Sequence, residues 1–390
     1  MTFRTVCTGC RANLDGAYLP FCPDCGEPAD VEYDLAAVRL ADSANPYERF
    51  ADLLPVDDRS LLPGDAEATA TVHAKRLGEA LGLERLYLKD ETTLPTGTTK
   101  DRMAAVALAY LYEHGVRAFA TSSTGNSSTA YGHAISRFPG LVMHLFTASE
   151  FADRVDLPKT EQVVETALEG ATFVEAFAAA AAFARREGLV SESGFFNPGR
   201  REGLKLAWLE AVDQVPGPID WYVQAVSSAM GVYGVFKAAK ELRALGRIDR
   251  LPRLLCVQQE SCAPMVSAWA AGSSRIRAED VVARPSGIAS AILRGDPSRA
   301  YPYVHPIVTE SGGTFLAVSE DEIREAHSLV EELESLRPGF AAAAAVAGAA
   351  KLRRLGELAP DATVLVNLTG RDRAARVEPR AVERPRAAVR

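Results

Sequence analysis

One lysine stands in a setting that suits chemistry with an aldehyde. Lys100 ends a loop of small residues that begins at Pro95, and an apolar stretch predicted to be helical follows it. A lysine at such a place can approach a bound aldehyde closely. The positive end of the helix dipole opposes its ammonium form, which lowers its pKa and favours formation of an imine. An exposed lysine that only begins a helix fits the same pattern.

Three loops that follow predicted strands could hold the anionic groups of a ligand. The first, SSTGNSS, offers hydroxyl and N–H groups that suit a carboxylate or phosphate, and its Asn126 could bond a phenolate oxygen, although such turns often only cap a helix. The second, SSAMG over 227–231, could hold a phosphate at the start of a helix, but one glycine makes it a poor nest by itself. The third begins at Asn367, where the last core strand ends and ligands of open α/β sheets bind.

Four cysteines near the N-terminus have the spacing of a metal site. They form two C-x-x-C pairs, Cys7 with Cys10 and Cys22 with Cys25. Four thiolates at this spacing hold zinc tetrahedrally and leave no open position, so the predicted role of the metal is structural. A ribbon without its metal, or simple surface thiols, are the alternatives.

The composition is that of a folded globular protein. Of the 390 residues, 47% are hydrophobic and 24% charged, and 43 basic against 51 acidic residues give a formal net charge of −8. This acidic balance argues against nucleic acid as a partner, because it repels phosphate backbones. The sequence shows neither a membrane-spanning stretch nor a secretory signal, so we expect no membrane partner and a cytoplasmic location.

Strands and helices alternate along the chain, which predicts a parallel α/β sheet. Before the lysine loop the pattern predicts a helix over 71–83. The predicted strands are 86–88, 116–121, 141–147, 221–226, 254–258 and 363–367. Helices are predicted over 103–114, 129–137 and 232–245, and over the alanine-rich stretches 176–184 and 341–350.

Taken in order, these segments resemble the threonine synthase family of fold type II pyridoxal-phosphate enzymes. PTGTTKDR is similar to the family's lysine segment, and STGNSS to its substrate and cofactor loop. FNPGRREG, residues 196–203, is similar to its asparagine–proline–arginine–glutamate–glycine stretch, and residues 285–297 match its isoleucine–alanine and glycine–asparagine–proline region. Thr369, followed by glycine, has the place of its cofactor-ring threonine. The resemblance covers about residues 5–375.

The resemblance implies an α/β fold of the tryptophan synthase β type, with two open parallel-sheet domains. We expect a zinc ribbon over 1–30, a large cofactor-binding domain over 31–99 and 196–375, and a small mobile domain over 100–195. Residues 376–390 are expected to form a disordered tail. Family members are commonly homodimers, so the resemblance also implies a homodimer.

The same resemblance implies a role for each polar segment around bound pyridoxal 5′-phosphate. Lys100 would hold the cofactor covalently and then move protons at Cα and Cβ of the substrate. Asn126 would contact the ring oxygen and Thr369 the pyridine nitrogen. The cofactor phosphate would lie in the loop of Ser227, Ser228, Ala229, Met230 and Gly231. The substrate side would be bound by Ser123, Thr124 and Ser127, which hold its carboxylate, and by Arg200, which holds a phosphate or another anion.

Two departures from the family pattern concern the substrate. Thr99 precedes the lysine where the family usually has an aromatic residue, and the loop 227–231 replaces a glycine- and asparagine-rich one. That loop, together with Gln258, Gln259 and the segment from Ala263, resembles cysteate synthases of the same superfamily.

We therefore expect an enzyme that uses pyridoxal phosphate to expel phosphate from an O-phospho-amino acid in amino-acid biosynthesis. As a threonine synthase it would convert O-phosphohomoserine and water to threonine and phosphate. As a cysteate-synthase-like enzyme it would replace the phosphate of O-phosphoserine by sulfite or another nucleophile in a specialised pathway. A non-catalytic regulatory relative that binds the cofactor is the third hypothesis.

Overall fold

The structure is a computed structural model that describes residues 2–123 and 125–373. The strands in these ranges are β1 Phe3–Cys7, β2 Ala29–Tyr33, β3 Thr71–His73, β4 Arg85–Asp90, β5 Ala118–Ser122, β6 Val142–Ala148, β7 Val163–Leu168, β8 Val190–Ser191, β9 Trp221–Ala225, β10 Arg253–Gln259, β11 Thr314–Val318 and β12 Thr363–Leu368. The helices are α1 Pro46–Arg49, α2 Lys75–Leu81, α3 Lys100–Glu113, α4 Asn126–Ala134, α5 Phe173–Glu187, α6 Pro198–Leu204, α7 Leu206–Gln214, α8 Met230–Ala244, α9 Pro264–Ala270, α10 Tyr301–Ser311, α11 Glu320–Glu334 and α12 Phe340–Arg354. The tail predicted for 376–390 lies outside the described residues.

The larger sheet has six strands in the order β11-β10-β9-β12-β4-β3. All neighbours are parallel except β3, which pairs antiparallel with β4 at one edge. Successive side chains of β12 alternate between two cores: Val364 and Val366 pack with the alanines of α12, whereas Leu365 lies in the core with α7 and α8. Because both faces are covered, every residue of β12 is buried.

The smaller sheet has four parallel strands in the order β7-β6-β5-β8. Ala120 and Phe146 on one face pack against the alanines of α5. Phe119 on the other face belongs to the core that contains α3 and α4. The two parallel sheets confirm the predicted α/β fold class, while the domain division at residues 100 and 195 stays a prediction.

The predicted helix over 71–83 is wrong in its first part. Thr71 to His73 form the edge strand β3, and the ring of His73 stacks on Tyr87 of β4 with centroids 4.7 Å apart. The helix begins only at Lys75. Pairing with an exposed strand edge therefore decides the conformation of this segment over its helical pattern.

The two alanine-rich stretches form helices α5 and α12, as predicted. Small side chains let α12 lie close to the large sheet, since a Cβ on Gly348 would come within 2.3 Å of Val257 Cγ2 on β10. Within the described ranges, no helix combines the length and the hydrophobicity that a membrane span requires.

Candidate active site

A cavity lies at the carboxyl end of the large sheet, where β9 and β12 end beside the first turn of α3. It is lined by Thr98, Thr99, Lys100, Asn126, Leu204, Gln224, Ala225, Val226, Ser227, Ser228, Ala229, Met230, Gly231, Ala291, Ile292, Ala341, Asn367 and Thr369. The structure thus brings together Lys100, Asn126, Thr369 and the loop 227–231, which are far apart in sequence. This edge of an open α/β sheet is where ligands bind.

The loop that carries Lys100 is attached to the end of β12. The N–H of Thr99 donates to the carbonyl of Thr369 at 2.9 Å. A Cβ on Gly370 would lie 2.7 Å from the Thr98 side chain, so only glycine lets the two segments approach this closely. The attachment keeps Lys100 and Thr369 at the same cavity.

The surroundings of Lys100 favour its neutral form. Burial and the positive charge of Arg200 lower the pKa of Lys100 from its ordinary 10.5 to about 8. Burial disfavours the ammonium form because it removes water, and a nearby cation adds repulsion. A neutral amine can attack an aldehyde and accept a proton, so the lowered pKa suits both roles predicted for Lys100.

A buried ion cluster fixes the first turn of α3 behind Lys100. Arg102 donates to Glu91 at 2.7 Å and to Glu210 of α7 at 2.5 Å. Lys89 of β4 donates to the same Glu210 at 2.7 Å. Two bases and two acids compensate each other's charge in a place that excludes water. The cluster therefore holds α3 against the end of β4 and against α7.

The turn between β5 and α4 is organised around Ser123. Its hydroxyl oxygen accepts hydrogen bonds from two backbone N–H groups at the beginning of α4, at 3.1 and 3.2 Å, which is a helix-capping arrangement. Ser127 Oγ lies 3.8 Å from the sulfur of Met103 on α3. Thr124 lies outside the described residues. The substrate-binding roles of these three polar residues stay predictions.

The loop after β9 presents the start of α8 to the cavity. Among the described side chains, none caps the first turn of α8, so its first N–H groups are available to an anion. Ala229 has a φ of +57°, a left-handed conformation that turns the chain into the helix. A Cβ on Gly231 would lie 2.8 Å from the Gln224 amide, so this glycine lets α8 begin directly against β9.

A hydrogen-bonded chain of buried side chains runs along the cavity. Asn367 Nδ2 donates to the hydroxyl of Tyr222 at 2.8 Å, and that hydroxyl donates to Gln224 Oε1 at 2.6 Å. Asn367 Oδ1 and Thr99 Oγ1 are buried and have no hydrogen-bond partner among the described residues. Unpaired buried polar atoms are costly, so two of them at one cavity indicate a polar ligand.

Arg200 is paired with a buried carboxylate, and its predicted role in binding a substrate phosphate stays a prediction. Its buried guanidinium uses both Nε and Nη2 in an ion pair with Glu192, the second contact at 2.5 Å. The hydroxyl of Tyr131 also donates to Glu192, at 2.9 Å, and lies 3.0 Å from Arg200 Nε. Glu192 compensates the buried guanidinium, while the charge of Arg200 still lowers the pKa of Lys100.

Tyr222, Gln224 and Glu192 are polar residues of the site and its surroundings that were not among the predicted site residues. Tyr222 and Gln224 are polar positions inside the otherwise apolar strand β9, and that contrast is a usable signal in the sequence. Glu192 carries no such signal. Its position depends on the turn before α6 and on Tyr131 from a different helix, which only the tertiary structure brings to it.

The four cysteines lie together as predicted. Their Sγ atoms are all within 4.8 Å of one another: Cys7, Cys10, Cys22 and Cys25. The N–H groups of Gly9 and Cys10 donate to Cys7 Sγ at 3.3 and 3.4 Å, and such bonds stabilise a thiolate. The donor set fits one tetrahedral metal ion.

Comparison with known protein families decides the nature of the cavity. Residues 64–370 match the family described as pyridoxal-phosphate dependent enzyme, a range that includes every residue lining the cavity. The chain belongs to this family. It is therefore an enzyme rather than a regulatory relative without catalysis, and its cofactor is pyridoxal phosphate.

Curated relatives of this pyridoxal-phosphate enzyme have two activities. A threonine synthase of Methanosarcina acetivorans is 32% identical, over 94% of this chain and 91% of its own length. A cysteate synthase of Methanosarcina barkeri is 28% identical, over 94% of this chain and 91% of its own length. The resemblance to the threonine synthase family, with features of cysteate synthases, is confirmed.

Solved structures confirm the fold. Diaminopropionate ammonia lyase from Escherichia coli matches with a TM-score of 0.65 and 16% identity, over 80% of this chain and 86% of that chain. Threonine deaminase isoform 2 from Solanum lycopersicum matches with a TM-score of 0.64 and 18% identity, over 85% of this chain and 90% of that chain. At these identities the likeness concerns the fold alone, which is that of fold type II enzymes.

The residues present fit the cofactor. The neutral amine of Lys100 suits its aldehyde, the uncapped start of α8 suits its phosphate, and Thr369 and Asn367 offer polar atoms between them. The oxygen of Asn367, which has no partner among the described residues, offers an acceptor to a polar ligand in the cavity.

Proposed function

We propose that this enzyme expels phosphate from an O-phospho-amino acid and, in the manner of a threonine synthase, converts O-phosphohomoserine and water to threonine and phosphate. One observation carries the proposal: Lys100, with its lowered pKa, shares a cavity with Asn126, Thr369 and the loop 227–231. The threonine synthase relative at 32% identity supports this choice of substrate.

In this proposal the chain holds the cofactor at four places. Lys100 binds its aldehyde carbon, the start of α8 binds its phosphate, Asn126 contacts its ring oxygen, and Thr369 contacts its ring nitrogen. Bound pyridoxal phosphate supplies an electron sink that makes the Cα proton of the amino acid acidic.

Lys100 then moves the protons of the reaction. Its neutral amine takes a proton from Cα and later one from Cβ, while phosphate leaves Cγ with the electron pair of the C–O bond. One of the two removed protons goes to Cγ and the other to the departing phosphate. Water then adds its OH group to Cβ and its remaining proton to Cα, so O-phosphohomoserine and water give threonine and phosphate. Ser123, Thr124 and Ser127 orient the substrate through its carboxylate.

We also propose that a small domain over 100–195 closes on the remainder to exclude bulk water, because its sheet is separate from the large one.

A cysteate-synthase-like reaction is the second candidate. It is favoured by the serine-containing loop 227–231 and by the cysteate synthase relatives, of which that of Methanosarcina barkeri is 28% identical. In that reaction phosphate leaves Cβ of O-phosphoserine and sulfite takes its place.

Phosphate release by the holoenzyme distinguishes the two candidates. We expect release from O-phosphohomoserine, with threonine formed in equal amount, and little from O-phosphoserine with sulfite. The opposite ranking would establish the second candidate. The matched control is Lys100→Ala, which should release no phosphate from either substrate. Release from neither substrate by a wild-type enzyme whose Lys100 carries a pyridoxyl adduct after borohydride reduction would overturn both.

We further propose that the four cysteines hold a structural zinc ion and that the enzyme is a cytoplasmic homodimer. Four clustered thiolates require a reducing compartment to stay unpaired, which supports the location. Sedimentation of the holoenzyme at twice the chain mass is the expected result for the dimer.

A further inference from the structure

Asn367 has a hydrogen-bonding capacity that its protein neighbours do not use. It is 2% exposed and lines the cofactor cavity, two residues before Thr369 on the same strand end. Thr369 follows the end of β12 and lines the same cavity, so Asn367 and Thr369 both face the ligand site at this strand end.

The neighbours of Asn367 determine which atom of its amide is left over. The hydroxyl of Tyr222 has one proton and gives it to Gln224, so it accepts the bond from Asn367 Nδ2. The carbonyl oxygen Oδ1 is then the unused atom, and it has no partner among the described residues. Because Asn367 lines the cavity, a donor on a molecule bound there can satisfy this oxygen.

Pyridoxal phosphate offers few donors to such an oxygen. Its phosphate and its phenolate oxygen are acceptors, its methyl group is apolar, and its aldehyde carbon is used by Lys100. The ring nitrogen is the one position that becomes a donor, and it does so when it is protonated. A carbonyl oxygen, unlike the hydroxyl of Thr369, can only accept, so it favours the protonated ring over the neutral one.

We propose that Asn367 is a positioning residue whose Oδ1 accepts a hydrogen bond from the ring nitrogen of the bound cofactor beside Thr369 and keeps that nitrogen protonated. The Tyr222–Gln224 chain holds the amide in this orientation, and the Gln224 amide lies against Gly231 in the loop proposed to bind the phosphate. A protonated ring withdraws electrons more strongly from Cα, which suits an enzyme that removes protons at both Cα and Cβ.

The charged groups around Asn367 do not take over this role. Lys89 of β4 lies opposite Asn367 in the sheet and is paired with Glu210 of α7. Tyr222 on β9 and Lys100 on α3 are also nearby. Glu91 and Cys256 act electrostatically on Tyr222, and Glu91 is paired with Arg102. Lys89 cannot accept a hydrogen bond while protonated, and Lys100 is proposed to bind the aldehyde carbon, at another position of the ring.

The test measures the protonation state of the ring nitrogen directly. The apoenzyme is loaded with pyridoxal phosphate labelled with ¹⁵N in the ring, and the ¹⁵N chemical shift of the holoenzyme is followed across the neutral pH range. Asn367→Leu removes the acceptor at similar size, and Asn367→Asp keeps it. We expect the wild-type and Asp nitrogens to be protonated and the protonation constant of the Leu variant to fall about tenfold, the factor for one hydrogen bond to a charged group.

Two results would overturn the proposal: a nitrogen that stays protonated in Asn367→Leu, or a Leu-like shift in Asn367→Asp. Circular dichroism shows whether Asn367→Leu folds, and Asn367→Asp provides the nearly isosteric comparison if it does not. The inference rests on the proposed place of the cofactor but not on the choice of substrate. A pyridoxyl adduct at Lys100 in each variant verifies that place, whereas its absence from the wild-type enzyme would overturn the cofactor placement and this proposal together.

Discussion

Lys100 reacts as a nucleophile in its neutral form, and its surroundings make that form available near neutral pH. Burial and the charge of Arg200 lower its pKa to about 8. The neutral fraction of Lys100 therefore increases as the pH is raised through about 8, and above that pH the amine is mostly neutral. We predict that the rate of covalent loading of the apoenzyme with pyridoxal phosphate rises over this range and then levels off, as measured by stopped-flow absorbance.

A double variant that removes both partners of the ion pair measures how much Arg200 lowers the pKa of Lys100. Arg200→Gln combined with Glu192→Gln takes away the positive charge near Lys100 without leaving a buried charge unpaired. The pKa of Lys100 then rises, so the loading profile moves to higher pH. Lys100→Ala is the control without covalent loading. A profile that stays in place in the double variant would contradict the effect ascribed to Arg200.

The convergence of Lys100, Asn126, Thr369 and the loop 227–231 was predictable from the sequence. Each of them lies at the end of a strand or at the start of a helix, and the carboxyl ends of parallel strands meet at one edge. The pairing of Arg200 was not predictable. Its partner lies on the turn before α6, and no local pattern shows that this turn folds back on the arginine.

At the scale of the element, the unit of β9, its loop and α8 depends on a close approach. A Cβ on Gly231 would lie 2.8 and 2.9 Å from the amide atoms of Gln224. Gly231→Ala must displace the Gln224 amide or the start of α8, at a cost of about 1–3 kcal/mol for overpacking. Because either displacement disturbs the loop proposed to hold the cofactor phosphate, we predict a higher Kd for pyridoxal phosphate, measured by titration of the apoenzyme.

The control for this prediction is Gly64→Ala. A Cβ at Gly64 meets no atom of the described residues within 4 Å, so this substitution should leave the Kd for the cofactor unchanged. Equal Kd values for Gly231→Ala and the wild-type enzyme would show that the cofactor phosphate is held elsewhere.

Elements in the middle of the sheets were easier to predict than those at the edges. β9, β10 and β12 are almost wholly buried, and apolar residues predominate in them. The edge strand β7 contains no buried residue, so its hydrophobic signal is weak. β3 is an edge strand of the large sheet. Its sequence pattern predicts a helix, and only its pairing with β4 makes it a strand.

At the scale of the whole molecule, the cysteine-bearing segment is attached to the helices that carry the site. Thr5 Oγ1 lies 2.9 Å from the hydroxyl of Tyr110 on α3. Arg201 of α6 donates to the carbonyl of Ala29 at 2.6 Å. A metal ion that orders this segment would therefore support α3 and α6 from outside, although no cysteine lines the cavity in the described part of the chain.

Removal of the metal should lower the thermal stability of the enzyme without abolishing its turnover. We predict that Cys10→Ser with Cys25→Ser abolishes zinc content and lowers Tm. At temperatures below the new Tm, turnover should persist, because four thiolates leave the ion no open position for substrate.

The control is Cys262→Ala, a buried thiol outside the cluster, which should keep the zinc. Zinc content, Tm and turnover measured on the same preparations decide the matter. A freshly purified wild-type enzyme without zinc would contradict the metal site, and turnover lost in the double variant while its fold persists would contradict a purely structural role.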